Sequence, residues 1–91
     1  MASPTTISFT ATGTSASLAV RGEANITISG LTAGTGIVQV QRKFVDDAEW
    51  YLVKEYTSDV TEVLDEPEYD VSYRFECTSH TSGTFKCRLS V

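Results

Sequence analysis

The chain is poor in the residues that make catalytic and metal centres. It has one histidine, two cysteines, one tryptophan and one methionine. His80 lies in the stretch Ser79-His80-Thr81-Ser82-Gly83. It has no second histidine and no CxxC pair with which to share a zinc ion. No Ser-His-Asp set, phosphate loop or paired-carboxylate motif can be assembled from the rest. These gaps predict a protein that is not an enzyme, with no catalytic, cofactor-binding or metal-binding residues and no cofactor.

Positive charge is also scarce. Seven Lys and Arg face twelve Asp and Glu, for a net charge of -5 and a pI near 4.6. Nucleic-acid binding draws on a basic surface that displaces counterions from phosphates, so the balance argues against nucleic acid and against anionic lipid as partners. It suits a soluble protein whose partner carries basic patches. No apolar run approaches the roughly 20 residues that span a bilayer. The start, MASPTTISF, lacks the basic and apolar regions of a signal peptide, which predicts synthesis and use in a cytoplasm unless a larger particle carries the chain out.

Helical periodicity is missing, and alternation of period two takes its place. Ile7, Phe9 and Ala11 alternate with polar neighbours, as do Ala16, Leu18 and Val20, then Ile26 and Ile28. Val38, Val40 and Phe44 share one face; so do Tyr73, Phe75 and Cys77, and then Phe85, Cys87, Leu89 and Val91. Gly13-Thr14, Arg21-Gly22-Glu23, Gly30, the stretch 32–36 and Ser82-Gly83 read as turns, and Pro67 should end any strand it meets. The pattern predicts an all-β fold, a single antiparallel β-sandwich of Ig-like or jelly-roll-like type with about eight strands. They fall near 5–11, 15–22, 24–30, 36–45, 49–57, 60–64, 70–78 and 84–91. Residues 7–91 form one domain, and residues 1–6, with Ser3, Pro4 and Thr5, form a flexible N-terminal arm.

Three features invite a functional reading. Residues 36–45 and 49–57 should pair as a hairpin around Asp46-Asp47-Ala48, with Trp50 near its end. A core tryptophan is the leading reading, since an indole buries on the order of 200 Å2; a partner-contacting or sugar-stacking one is the second. Cys77 and Cys87 should flank a last hairpin that sets Phe75 opposite Leu89, leaving either two buried thiols, the preferred outcome, or a disulfide. Asp59, Glu62, Asp65, Glu66, Glu68 and Asp70 crowd together around Pro67. Their spacing fits no EF-hand loop, so a solvated acidic rim that meets a basic partner is preferred to a calcium site.

The order VQVQRKF, an acidic turn, WYLVKEYT, DEPEYDVSYRF and TSGTFKCRLS resembles small β-sandwich proteins of tailed-phage virions. In such proteins a strand like LQRSF leads through a turn to a tryptophan, an EP link precedes YRF, and SGT opens a final strand ending near RLS. The resemblance covers about residues 36–91, and this chain departs from it in having no glycine in the turn before Trp50. It implies a virion structural protein, made in the host cytoplasm, with the major capsid protein or other virion proteins as partners. A homotrimer would suit a protein seated on a capsid.

The leading expectation is a capsid decoration or cement protein. Its partner-binding residues are expected in the arm (Ser3, Pro4, Thr5), at Trp50 and along the acidic link (Asp59, Glu62, Asp65, Glu66). Head–tail connector, tail or fibre component is the alternative within the particle. A carbohydrate- or host-surface-binding module, with Trp50 and nearby tyrosines as a stacking platform, is the alternative from a different class.

Overall fold

Alternation fixes which side of each strand is buried, and the computed structural model, which describes residues 4–91, shows that face directed into one core. The described residues form seven strands and no helix: β1 (Thr5–Phe9), β2 (Gly13–Thr14), β3 (Leu18–Ser29), β4 (Gly36–Phe44), β5 (Tyr51–Tyr56), β6 (Val60–His80) and β7 (Phe85–Ser90). All pairings are antiparallel, in the order β1-β7-β3-β6-β4-β5, with β2 added on β6. The all-β, sandwich-like expectation therefore holds.

Two long strands build both layers. One layer contains β1, β7, residues 22–29 of β3 and residues 60–66 of β6. The other contains β2, residues 18–20 of β3, residues 71–80 of β6, and β4 and β5. The β3–β6 ribbon bends between the layers where Val20 pairs with Val71 and Gly22 with Glu66. One residue, Arg21, thus stands opposite four, 67–70. Such bulges sharpen twist and let a strand change sheets.

The bend merges two pairs of expected strands, which would leave six, and Gly13-Thr14, expected as a turn, adds the short strand β2 to make seven. Residues 15–22 and 24–30 were expected to be separate, but Gly22, at φ 80°, turns the chain within β3 rather than ending it. Residues 60–64 and 70–78 likewise join as β6. Pro67 does not end the strand, because it lies in the unpaired bulge where no ladder hydrogen bond needs its missing N–H. Inward residues are even-numbered before the bulge (Leu64, Glu66) and odd-numbered after it (Val71, Tyr73, Phe75, Cys77). Changing parity takes an odd step, and Asp70 at φ 59° accommodates it.

The core is made by Val20, Ala24, Ile26 and Ile28 of β3, Val38 and Val40 of β4, Val71, Tyr73, Phe75 and Cys77 of β6, and Phe85, Cys87 and Leu89 of β7. Phe9, Leu31 and Tyr56 complete it. Gly36 packs where a Cβ would stand 2.5 Å from the Phe85 ring, so only glycine lets β4 approach β7 there.

The expected last hairpin does not form. Residues 81–84 carry the chain across to the other layer, and β7 inserts between β1 and β3 instead of pairing with β6. Cys77 lies opposite Val38 and Gly13, whereas Cys87 lies opposite Ile7 and Ile28. The two thiols are buried and unbridged, as preferred from the sequence. Burial pushes the Cys87 thiol up to about 12, which makes it a poor nucleophile. Thr5 and Thr6, assigned to the arm, are paired with Leu89 and Arg88 in β1; Ser3 lies outside the described residues.

Candidate interaction surface

The acidic link divides into four environments rather than one rim. Glu66 is 0% exposed, which removes it from any contact surface and corrects its assignment as a partner-binding residue. Its Oε1 accepts from Arg42 Nη1 at 2.7 Å and from the Tyr73 hydroxyl at 3.0 Å, and its Oε2 accepts from the Glu68 N–H at 3.2 Å. Burial raises the carboxyl pKa, but the Arg42, Glu68 and Tyr73 hydrogen bonds outweigh it and hold the group below its ordinary value. The opposite side of the same balance pushes the Tyr73 hydroxyl up to about 12, through burial first and the Glu66 hydrogen bond second. These bonds pin the strand-switching bend at its inner side. Glu66 immediately precedes Pro67, and nothing in its sequence context marks it off from its exposed neighbours.

Glu62 shares the inward-facing side of β6 with Leu64 and Glu66 and is half-buried; Lys54 Nζ donates to it at 2.7 Å and the Tyr56 hydroxyl at 3.0 Å. It ties β5 to the first half of β6, strands that do not pair. The Lys54 bond lowers its pKa despite partial burial. Asp59 Oδ1 accepts from the Leu31 N–H at 2.8 Å and so fixes the loop after β3. Asp65 is exposed, opposite Glu23. Pro4 is exposed and Thr5 half-buried at the start of β1.

Trp50 is not a core residue. It is half-buried just before β5, and the Arg74 guanidinium lies 4.3 Å from its ring centroid. The turn that presents it is closed without glycine: Asp47 N–H donates to the Phe44 carbonyl, and Asp47 Oδ1 accepts from the Glu49 N–H at 2.9 Å. The Tyr51 hydroxyl donates to the other Asp47 oxygen, which lowers the Asp47 pKa. An Asx-type turn of this kind substitutes a side-chain acceptor for a backbone one.

From Trp50 a polar strip runs across the outer face of β6, β4 and β5. Arg74 Nε donates to Gln41 Oε1 at 2.9 Å, Gln41 Nε2 donates to Glu76 and to Gln39, and Gln39 Nε2 donates to Glu55 Oε2 at 2.9 Å. Gln41 is 8% exposed and fully engaged. The sequence reading missed this strip. Its only trace was the polar phase of VQVQRKF set against Arg74 and Glu76. Leu52, paired with Gln41, is 57% exposed; Val45 and Tyr69 are 73% and 72% exposed, and Arg21 stacks 3.7 Å from the Tyr69 ring. Aromatic residues and planar polar groups make this a surface suited to adhesion.

His80 lies against the Phe85 ring, with centroids 4.9 Å apart, and its Nε2 stands 2.7 Å from the Gly83 carbonyl oxygen. Among the described residues no three His, Cys, Asp or Glu gather as a metal-binding group. No protein-family model, curated protein or solved structure matches the chain.

Proposed function

We propose that the protein is a structural component of a tailed-phage virion, acting as a decoration or cement protein that docks on the head shell. The observation that carries the reading is the ordered resemblance over residues 36–91, which maps onto β4, the Asp47 turn, β5, the bend at 65–70, the second half of β6 and β7. The geometry supports it in two ways. Each layer presents a sheet face to solvent, and among the described residues β1 and β5 terminate the sheet with one side unpaired. A module of this shape binds weakly per copy and gains avidity from a repeating lattice.

Purified protein should bind mature shells of the particle that encodes it at high copy number and raise their resistance to heat. Failure to bind shells would defeat the proposal. Binding only at the tail axis would move the protein to the connector or tail.

The half-exposed Trp50 favours a second reading, a carbohydrate-binding module built on the Trp50–Arg74–Gln41 strip. Glycan binding that disappears in Trp50→Ala, with the fold intact, would select it.

A further inference from the structure

In this acidic chain, two of the seven basic residues stand alone on one sheet face. The outward side of β7 carries Lys86 and Arg88, while Phe85, Cys87 and Leu89 point into the core. The register places Arg88 between Thr6 of β1 and Thr27 of β3, and Lys86 between Ser8 and Ser29. Each cation is thus the centre of a row that reads hydroxyl, cation, hydroxyl. The residues line an open depression of about 490 Å3. Among the described residues the only ion pairs are Arg42–Glu66 and Lys54–Glu62, so neither Lys86 nor Arg88 has a carboxylate partner. Arg88 Nη1 reaches only Ser90 Oγ, at 3.3 Å.

A second feature lies beside the rows. Among the described residues β1 ends the sheet and pairs only with β7, so its outer side offers backbone groups of Thr5–Phe9 to another strand. We infer that the β1 edge and the Lys86–Arg88 face together form a docking site for an extended, acidic segment of a partner protein, added as a strand beside β1.

The spacing supports a peptide occupant. Lys86 and Arg88 are two residues apart, about 6.8 Å along a strand, which is the repeat of alternate side chains in any extended segment. Carboxylates at alternate positions of an added strand would lie beside Thr6 and Ser8. They would be about 10 Å, two strand spacings, from β7, within reach of long side chains extended from both sides. The edge recognises a polypeptide backbone, and the cations select the sign of its side chains. Neither cation has to leave an existing ion pair to do so. The inference stands apart from the virion reading, because it names the chemistry of a partner segment and not the particle that supplies it.

The test uses the whole chain and three probes at low salt: a short peptide alternating glutamate with threonine and valine, the same peptide with lysine for glutamate, and the glutamate peptide N-methylated at alternate residues. Backbone amide shifts report the site. The glutamate peptide should bind saturably and perturb β1 and β7, and the lysine and N-methylated peptides should bind roughly tenfold more weakly or not at all. The double variant Lys86→Glu/Arg88→Glu, altered only at exposed positions, should keep its urea midpoint and lose the glutamate peptide. No saturable binding, equal binding of both charge types, or shifts confined to other strands would overturn the inference. Full binding of the N-methylated peptide, matched by a sulfated oligosaccharide, would also overturn it, since a bare anion patch would then suffice.

Discussion

Removing the Glu66 carboxylate tests the bend that makes this fold. In Glu66→Ala the Tyr73 hydroxyl loses its acceptor in a site where Tyr73 is 1% exposed. An unsatisfied buried donor costs about 1–3 kcal/mol. The Arg42 side chain is 35% exposed, so its freed guanidinium can turn to water, and its share is discounted toward the small values of surface pairs. The Glu68 N–H lies at the exposed bulge and can also be hydrated. Lost side-chain packing adds on the order of 1–2 kcal/mol. The expected total is about 2–5 kcal/mol, a large part of the roughly 5–14 kcal/mol available to a domain of this size. Glu66→Gln keeps one acceptor and most of the volume, so it should cost about half as much.

Urea unfolding followed by circular dichroism measures both values, and pH separates charge from packing. The folded carboxyl is held below the ordinary 4.5, so the wild type binds fewer protons folded than unfolded in that range. Its extra stability is present above the unfolded pKa and is lost as pH falls through the folded one. The gap between wild type and Glu66→Gln should therefore be full at about pH 7 and shrink below about pH 4.5. A loss under about 1 kcal/mol in Glu66→Ala, or a gap unchanged down to about pH 3, would refute the reasoning.

Other consequences are simpler. Trp50→Ala should keep the fold and cost well under the about 3–5 kcal/mol of a core tryptophan, because its ring meets Arg74 and solvent outside the main core; an unfolded variant in the same urea assay would show otherwise. Gly30→Ala should be severely destabilising, since φ is 82° and a Cβ would collide with the Thr84 carbonyl, which a large drop in thermal midpoint would register. Gly22→Ala, at φ 80° but with open space around the position, should lose only about 1–2 kcal/mol from strain in the same scan.

Much of this molecule was legible along the chain because side-chain direction in a strand is a local property. Ile26, Ile28, Val38, Val40, Phe75, Phe85 and Leu89 were all placed on buried faces by alternation alone. The β4–β5 hairpin followed from proximity, and its ladder runs from Val38–Tyr56 to Arg42–Tyr51. The free, buried cysteines also followed, although the strand pairing invoked for them did not.

Nonlocal pairing decided the rest. Residues 67–70 contain a proline and three polar residues or tyrosine, a composition that ends most strands; β6 continues because β3 supplies a partner on both sides of the bulge. The burial of Glu66 among exposed acids depends on Arg42, 24 residues earlier, and Tyr73, seven later, meeting it at the bend. The Lys86–Arg88 face exists only because β7 lies between the hydroxyl-bearing strands β1 and β3 instead of beside β6. The sequence by itself settled that the chain forms strands and which side of most of them is apolar, since alternation needs only a residue and its neighbours. Strand order, the bend and every polar grouping on the surface were settled by the tertiary structure, since each depends on which distant segments the core brings edge to edge.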